Sequence, residues 1–287
     1  MESVRKIALV LGSGGFRGPA HAGVLAKLHD LGVPIDAIVG CCVGGVVGAY
    51  YAAAGLRSAE LLDHGFGVRK LGVLSHGLAM RDVPFRSTFL RWAAPVREKL
   101  SILDGLGFDA LHHGVREIGF LMLDLERRER IFVSTGHHRG FTLSEAVRAS
   151  ARLPVVFPPM IKEVDGLARR LVDGAFASPT PIGQAVAFPI RATHVIAVNL
   201  SGSRSRGRYS EVDRWGRILG DRLLFVRPDP RRWGWRGGKR YVSSWYQAGY
   251  DSFGTEEAAR IARWLREMPE HEPSPLPREA AEEVSRT

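Results

Sequence analysis

The pentapeptide Gly40-Cys41-Cys42-Val43-Gly44 is the stretch of this sequence best suited to covalent chemistry. A glycine on each side of a nucleophile lets a strand turn sharply into a helix, so that the central side chain stands above the sheet. With Cys42 at the centre, the chemistry is attack on an acyl carbon through a covalent intermediate. A second glycine-rich stretch, Gly12-Ser13-Gly14-Gly15-Phe16-Arg17-Gly18, can offer backbone N–H groups to an anion or to the oxyanion of that intermediate. A dinucleotide site fits it less well. The G-x-G-x-x-G spacing is one residue out of register, Asp30 and Asp36 match the ribose position only approximately, and a Walker lysine is absent. Taken alone, the two cysteines could equally be small residues buried in a tight strand exit; the flanking glycines favour the nucleophile.

The surrounding pattern supplies elements able to position these residues. Ile7 to Leu11 is a short apolar run, the glycine turn follows it, and Ala20 to Leu31 has one apolar face and helix-forming composition. A second apolar run, Ile35 to Val39, enters the cysteine turn, and the small residues Val46 to Ala54 predict a helix ending at Gly55. Two strand–turn–helix units in tandem predict a mostly parallel sheet covered by helices. Residues 56 to 118 read as a helical cap, Ile118 to Leu125 and Arg130 to Ser134 as a strand pair, and Ser144 to Ser150 as a short helix. A hairpin around Asp165-Gly166 delivers Asp173-Gly174-Ala175 at a strand end, and His194 to Leu200 is a further buried strand.

The chain has 287 residues, 45% hydrophobic and 24% charged, which suits one folded domain over 1 to 268, with a Pro- and Glu-rich tail from 269 to 287. The net charge of +10 would draw it toward phosphate-bearing surfaces. Arg204 to Arg240 concentrates that charge, with Trp215, Trp233 and Trp235 interleaved, and reads either as a seat for anionic membrane or as a solvated basic face. No nucleic-acid-binding module is visible. The adjacent Cys41 and Cys42 leave no disulfide framework, and no apolar stretch reaches a bilayer-spanning length. A cytoplasmic protein with at most peripheral membrane contact is therefore expected.

Three ordered motifs resemble those of the patatin-like phospholipases, particularly the bacterial members. Gly12 to Gly18 followed by His21-Ala22-Gly23-Val24-Leu25 is similar to their oxyanion loop and first helix. Gly40 to Gly45 resembles their G-x-S-x-G elbow with cysteine in place of serine. Leu171-Val172-Asp173-Gly174-Ala175 resembles the motif of the dyad aspartate, and Ala146 to Pro159 the segment that precedes it. The resemblance covers roughly residues 5 to 200, with a weaker echo at Gly249-Tyr250. It implies a three-layer α/β fold and a lipid or acyl-ester substrate, with no metal and no cofactor. It further implies Cys42 as nucleophile, Asp173 as base, Gly14 and Gly15 with Phe16 as the oxyanion loop, Arg17 as its support, and Gly40 and Gly44 as the elbow glycines.

The cysteine is the chief departure. Thiols react as thiolates, and a neighbouring carboxylate disfavours the second negative charge, whereas the helix N-terminus favours it. Efficient thiol enzymes pair cysteine with histidine; the nearest in sequence, His21, reads as structural. The expected activity is acyl hydrolysis through residue 42. Alternatives are transfer of a Cys42 thioester to an amine, alcohol or thiol, a catalytically silent lipid-binding protein, and a serine enzyme into which cysteine has been introduced.

Overall fold

The computed structural model describes residues 5–66, 70–81, 83–200, 209–230 and 239–266. The first strand, β1 (Ile7–Leu11), shows why its sequence is apolar throughout. Ile7, Leu9 and Leu11 point into one hydrophobic core, and Ala8 and Val10 into another on the opposite face of the sheet. A strand covered on both sides has no polar face to alternate with. Strand β2 (Ala37–Gly40) divides in the same way, with Ile38 on one side and Ala37 and Val39 on the other.

Strands β3 (Glu117–Asp124), β4 (Arg130–Ser134), β5 (Met160–Val164), β6 (Leu167–Asp173), β7 (His194–Val198) and β8 (Leu223–Val226) complete an eight-stranded sheet. Its order is β5-β6-β3-β2-β1-β7-β8, with β4 also on β3. The stretch β3-β2-β1-β7-β8 is parallel; β4, β5 and β6 are joined by antiparallel pairings. The larger core lies under α1 (Pro19–Asp30), α2 (Val43–Ala52) and α6 (Leu143–Ser150), and also receives Ile261 and Trp264 of α10 (Thr255–Arg266). The other lies under α7 (Ile182–Val186) and α8 (Tyr209–Leu219). This is the expected α/β architecture with helices on both faces.

Between β2 and β3 run α3 (Ser58–Phe66), α4 (Lys70–Ala79) and α5 (Arg86–Ser101). Helix α9 (Lys239–Tyr250) packs along α1. Several sequence boundaries move: the second strand begins at Ala37 rather than Ile35, and the helix after it begins at Val43 directly behind Cys42. Glycines 44, 45 and 48 do not prevent that helix, because backbone packed this closely against the sheet needs small residues more than it needs propensity. Strand β8 and helices α7 to α10 are additional to the expected elements. Trp215, read as a possible membrane-interface residue, is buried in the second core against Gly183 of α7. Trp233, Trp235 and the tail 269–287 lie outside the described residues.

Candidate active site

Sheet register alone brings Cys42 and Asp173 together. Strand β2 runs parallel to β3 and ends with Gly40 opposite Phe120. Strand β6 runs antiparallel to β3 and ends with Asp173 opposite Met122. Strand β4 occupies the other edge of β3, so the C-terminal ends of β2 and β6 meet head-on along the same edge, two β3 residues apart. At about 3.3 Å per residue, one turn past Gly40 suffices to reach Asp173.

That turn is strained. Cys42 has φ 53° and ψ −134°, a conformation that costs an ordinary side chain on the order of 1 to 3 kcal/mol and that surrounding structure must hold. The Cys42 N–H donates to the Ser150 carbonyl at 2.8 Å, and the turn leads directly into α2. Gly44 seals the geometry: a Cβ there would run into the Leu11 carbonyl oxygen, and one at Gly40 into the backbone of Gly45. Cys41, the other cysteine, is buried, with its sulfur 3.5 Å from the Ser178 carbonyl oxygen.

Asp173 is fully buried. Its Oδ1 accepts from the Ala175 N–H at 2.8 Å, and its own N–H donates to the Arg152 carbonyl at 3.0 Å. Burial pushes its pKa up to about 6, opposed by interactions with the Cys42 thiol and the Ala175 N–H. The thiol interacts with the carboxylate, whose Oδ2 has no other hydrogen-bond partner among the described residues. Burial, followed by the Asp173 charge, drives the thiol pKa far up and keeps the sulfur protonated; the N–H groups of Val43 and Gly15 pull weakly the other way.

Those two N–H groups lie near enough to the sulfur to act on it. Gly15 reaches it because it takes φ +56°, a left-handed conformation natural to glycine. Gly14 precedes it, with its carbonyl accepting from the Arg17 N–H and no room for a Cβ against the Leu200 side chain. Phe16 is partly exposed on the same turn. Arg17 Nη1 donates to the Leu200 carbonyl, and its guanidinium lies over Trp245 of α9, so it ties the loop to two neighbouring elements. His21 is buried, with Nε2 on the Gly12 carbonyl at 2.8 Å, and burial lowers its pKa to about 4. A neutral imidazole hydrogen-bonded to the loop backbone is a structural prop.

The structure thus brings Cys42, Asp173 and Gly15 together, framed by Gly40 and Gly44, with Gly14, Phe16 and Arg17 in the supporting turn. Two features escaped the sequence reading. Val43 could have been found as the residue after the nucleophile in an elbow. The carbonyls of Ser150 and Arg152, which hold the N–H groups of Cys42 and Asp173 respectively, carry no side-chain signal. No cluster of three or more metal-ligating side chains occurs among the described residues, and none of the described helices is long and apolar enough to cross a membrane.

The comparisons agree with this fold. The patatin-like phospholipase family model matches residues 9–186, which include the Gly12–Gly18 loop, the Cys42 turn and Asp173, and the chain belongs to that family. An uncharacterized NTE family protein of Mycobacterium tuberculosis is 30% identical over 204 residues, 71% of this chain and 51% of the relative. The lysophospholipase NTE1 of Cryptococcus neoformans is 49% identical over 59 residues, 21% of this chain and 3% of that protein. The chain therefore spans about half the length of the mycobacterial relative and a small part of the fungal one. The crystal structure of VipD from Legionella pneumophila has the same fold at TM-score 0.52 and 10% identity, over 91% of this chain and 67% of that one.

Proposed function

We propose that this protein is a lipid acyl hydrolase whose acyl-enzyme forms on Cys42, with Asp173 as general base. The observation that carries the reading is the strained elbow at Cys42, with the buried Asp173 on one side of the sulfur and the Gly15 and Val43 N–H groups on another. Membership of a phospholipase family supports a lipid ester as substrate. Helices α3 to α5, within 56–118, form the cap beside which the acyl chain lies.

Asp173 is largely ionised above pH 6 and takes the thiol proton as sulfur bonds to the ester carbonyl carbon. Negative charge moves to the carbonyl oxygen, where the Gly15 and Val43 N–H groups receive it. Collapse breaks the ester C–O bond, and the departing alcohol takes the proton from Asp173. Water, deprotonated by Asp173, then attacks the thioester, and the acid leaves as the sulfur is reprotonated.

This environment suits a hydroxyl better than a thiol. A hydroxyl needs only a base in the transition state, whereas a thiol reacts best as a thiolate, which burial and Asp173 oppose here. Replacing Cys42 by Ser should raise hydrolysis of a short-chain p-nitrophenyl ester on the order of tenfold, and Cys42→Ala should reduce it to background. If serine lowers both ester hydrolysis and transfer to added amine or alcohol acceptors, a purposeful thioester enzyme replaces this reading.

A further inference from the structure

The segment from 150 to 158 orients both groups of the dyad. Its Ser150 carbonyl accepts from the Cys42 N–H at 2.8 Å and its Arg152 carbonyl from the Asp173 N–H at 3.0 Å, so a shift of this one stretch displaces the two together. The segment has little regular structure to hold it in place. Pro154 and Pro158 supply no N–H, and the chain forms neither helix nor strand between α6 and β5.

Its carbonyls therefore find other donors. The Leu153 carbonyl accepts from the Val156 and Phe157 N–H groups, and the Pro158 carbonyl from Arg152 Nε at 2.6 Å. The Pro154 and Val155 carbonyls both accept from one side chain, Arg81, whose Nη2 lies 3.2 and 3.0 Å away. Arg81 directly follows α4, and its own N–H donates to the Leu78 carbonyl of that helix at 3.1 Å. Helix α4 is seated on the same segment. A Cβ at Gly77 would strike the Val156 carbonyl oxygen, and the His76 ring stands edge-on to Phe157 with 5.9 Å between centroids. Arg152 Nη2 adds a weak contact to the Met80 sulfur at 3.9 Å.

We propose that Arg81 is a positioning residue for the dyad, fastening the segment that sets Cys42 and Asp173 to helix α4 of the cap. The geometry rests on hydrogen bonds; its consequence for turnover rests on the acyl-hydrolase reading. The side-chain hydrogen bonds of Arg81 among the described residues go to this segment, and its Nε is buried with no partner among them. Bonds donated by a guanidinium are roughly twice as strong as neutral ones, so a single side chain suffices as the tie. Cap and dyad then move as one body, and an ester that displaces α4 also displaces the two groups that act on it.

The test uses Arg81→Ala and Arg81→Lys in the whole chain. Arg81→Ala should lower kcat for a short-chain p-nitrophenyl ester about tenfold and leave KM within about twofold. Arg81→Lys, whose ammonium can donate to the same carbonyls, should recover most of the loss. A second readout needs no turnover: the carboxyl titration of Asp173, followed by NMR with 13C-labelled aspartate and assigned with Asp173→Asn. The Cys42 thiol and the Ala175 N–H act on that carboxylate in parent and variants alike. Water admitted beside a loosened segment relieves its burial, so the midpoint should fall from about 6 toward the ordinary 3.8 in Arg81→Ala and stay near 6 in Arg81→Lys. Circular dichroism checks folding, and Arg81→Gln takes the place of Arg81→Ala if that variant does not fold. A midpoint that falls while neither parent nor variant hydrolyses any ester would keep the positioning role and remove the hydrolase reading. A folded Arg81→Ala with the parent's kcat and Asp173 midpoint, or equal losses in Arg81→Ala and Arg81→Lys, would overturn the proposal.

Discussion

A buried carboxylate whose pKa is raised destabilises the protein that uses it. Asp173 in the folded chain has a pKa of about 6, above its ordinary value of 3.8, so the unfolded chain releases this proton first as pH rises. Below pH 4 both states are protonated and the folded protein incurs no penalty; the penalty grows between pH 4 and 6 and is complete above that. Asp173→Asn keeps an oxygen for the Ala175 N–H and removes the charge, so it should stabilise the protein by roughly 2 kcal/mol at pH 7.5 and by almost nothing at pH 3.5. Thermal denaturation at the two pH values checks this; a variant less stable than the parent at pH 7.5 would contradict the burial account. In the parent, ester hydrolysis should rise with pH through about 6 as the base ionises. Cys42, Asp173 and Gly15 were legible in the sequence because their chemistry depends on residue type. Val43 and the Ser150 and Arg152 carbonyls act through main chain, which any residue supplies, so composition and spacing said little about them.

At the scale of elements, two turns after two parallel strands do different work with the same residue type. Gly15 is needed for its conformation: a Cβ there meets open space, but its φ is positive. Gly15→Ala should therefore cost only about 1 kcal/mol of stability, while turnover falls tenfold or more as the oxyanion N–H shifts. Gly44 is needed for its size, since a Cβ there strikes the Leu11 carbonyl oxygen of β1. Gly44→Ala should cost about 3 kcal/mol, the upper end of overpacking, and lower the melting temperature accordingly. Equal stability losses in the two variants would show that the turns do not differ in this way. The first two strand–turn–helix units and the hairpin at Asp165-Gly166 were readable because glycine turns punctuate short apolar runs. Strand β8 was not, because Leu223 to Val226 spans four residues inside an arginine-rich stretch, where charge masks the apolar pattern.

At the scale of the whole molecule, the two cores on opposite faces of the sheet explain why the basic segment is only partly a surface. Trp215 fills the second core against α7, so Trp215→Ala should destabilise by about 3 to 5 kcal/mol while leaving sedimentation with anionic vesicles unchanged in protein that remains folded. Loss of vesicle binding without loss of stability would return Trp215 to a membrane role. The central claim, that residue 42 carries the acyl group, is tested most directly by the intact mass of the protein after exposure to an activated acyl ester. The parent and Cys42→Ser should each gain the mass of one acyl group and lose it again by hydrolysis. Cys42→Ala should gain none. An adduct of the same stoichiometry on Cys42→Ala, or none on either nucleophile-bearing protein, would contradict the account.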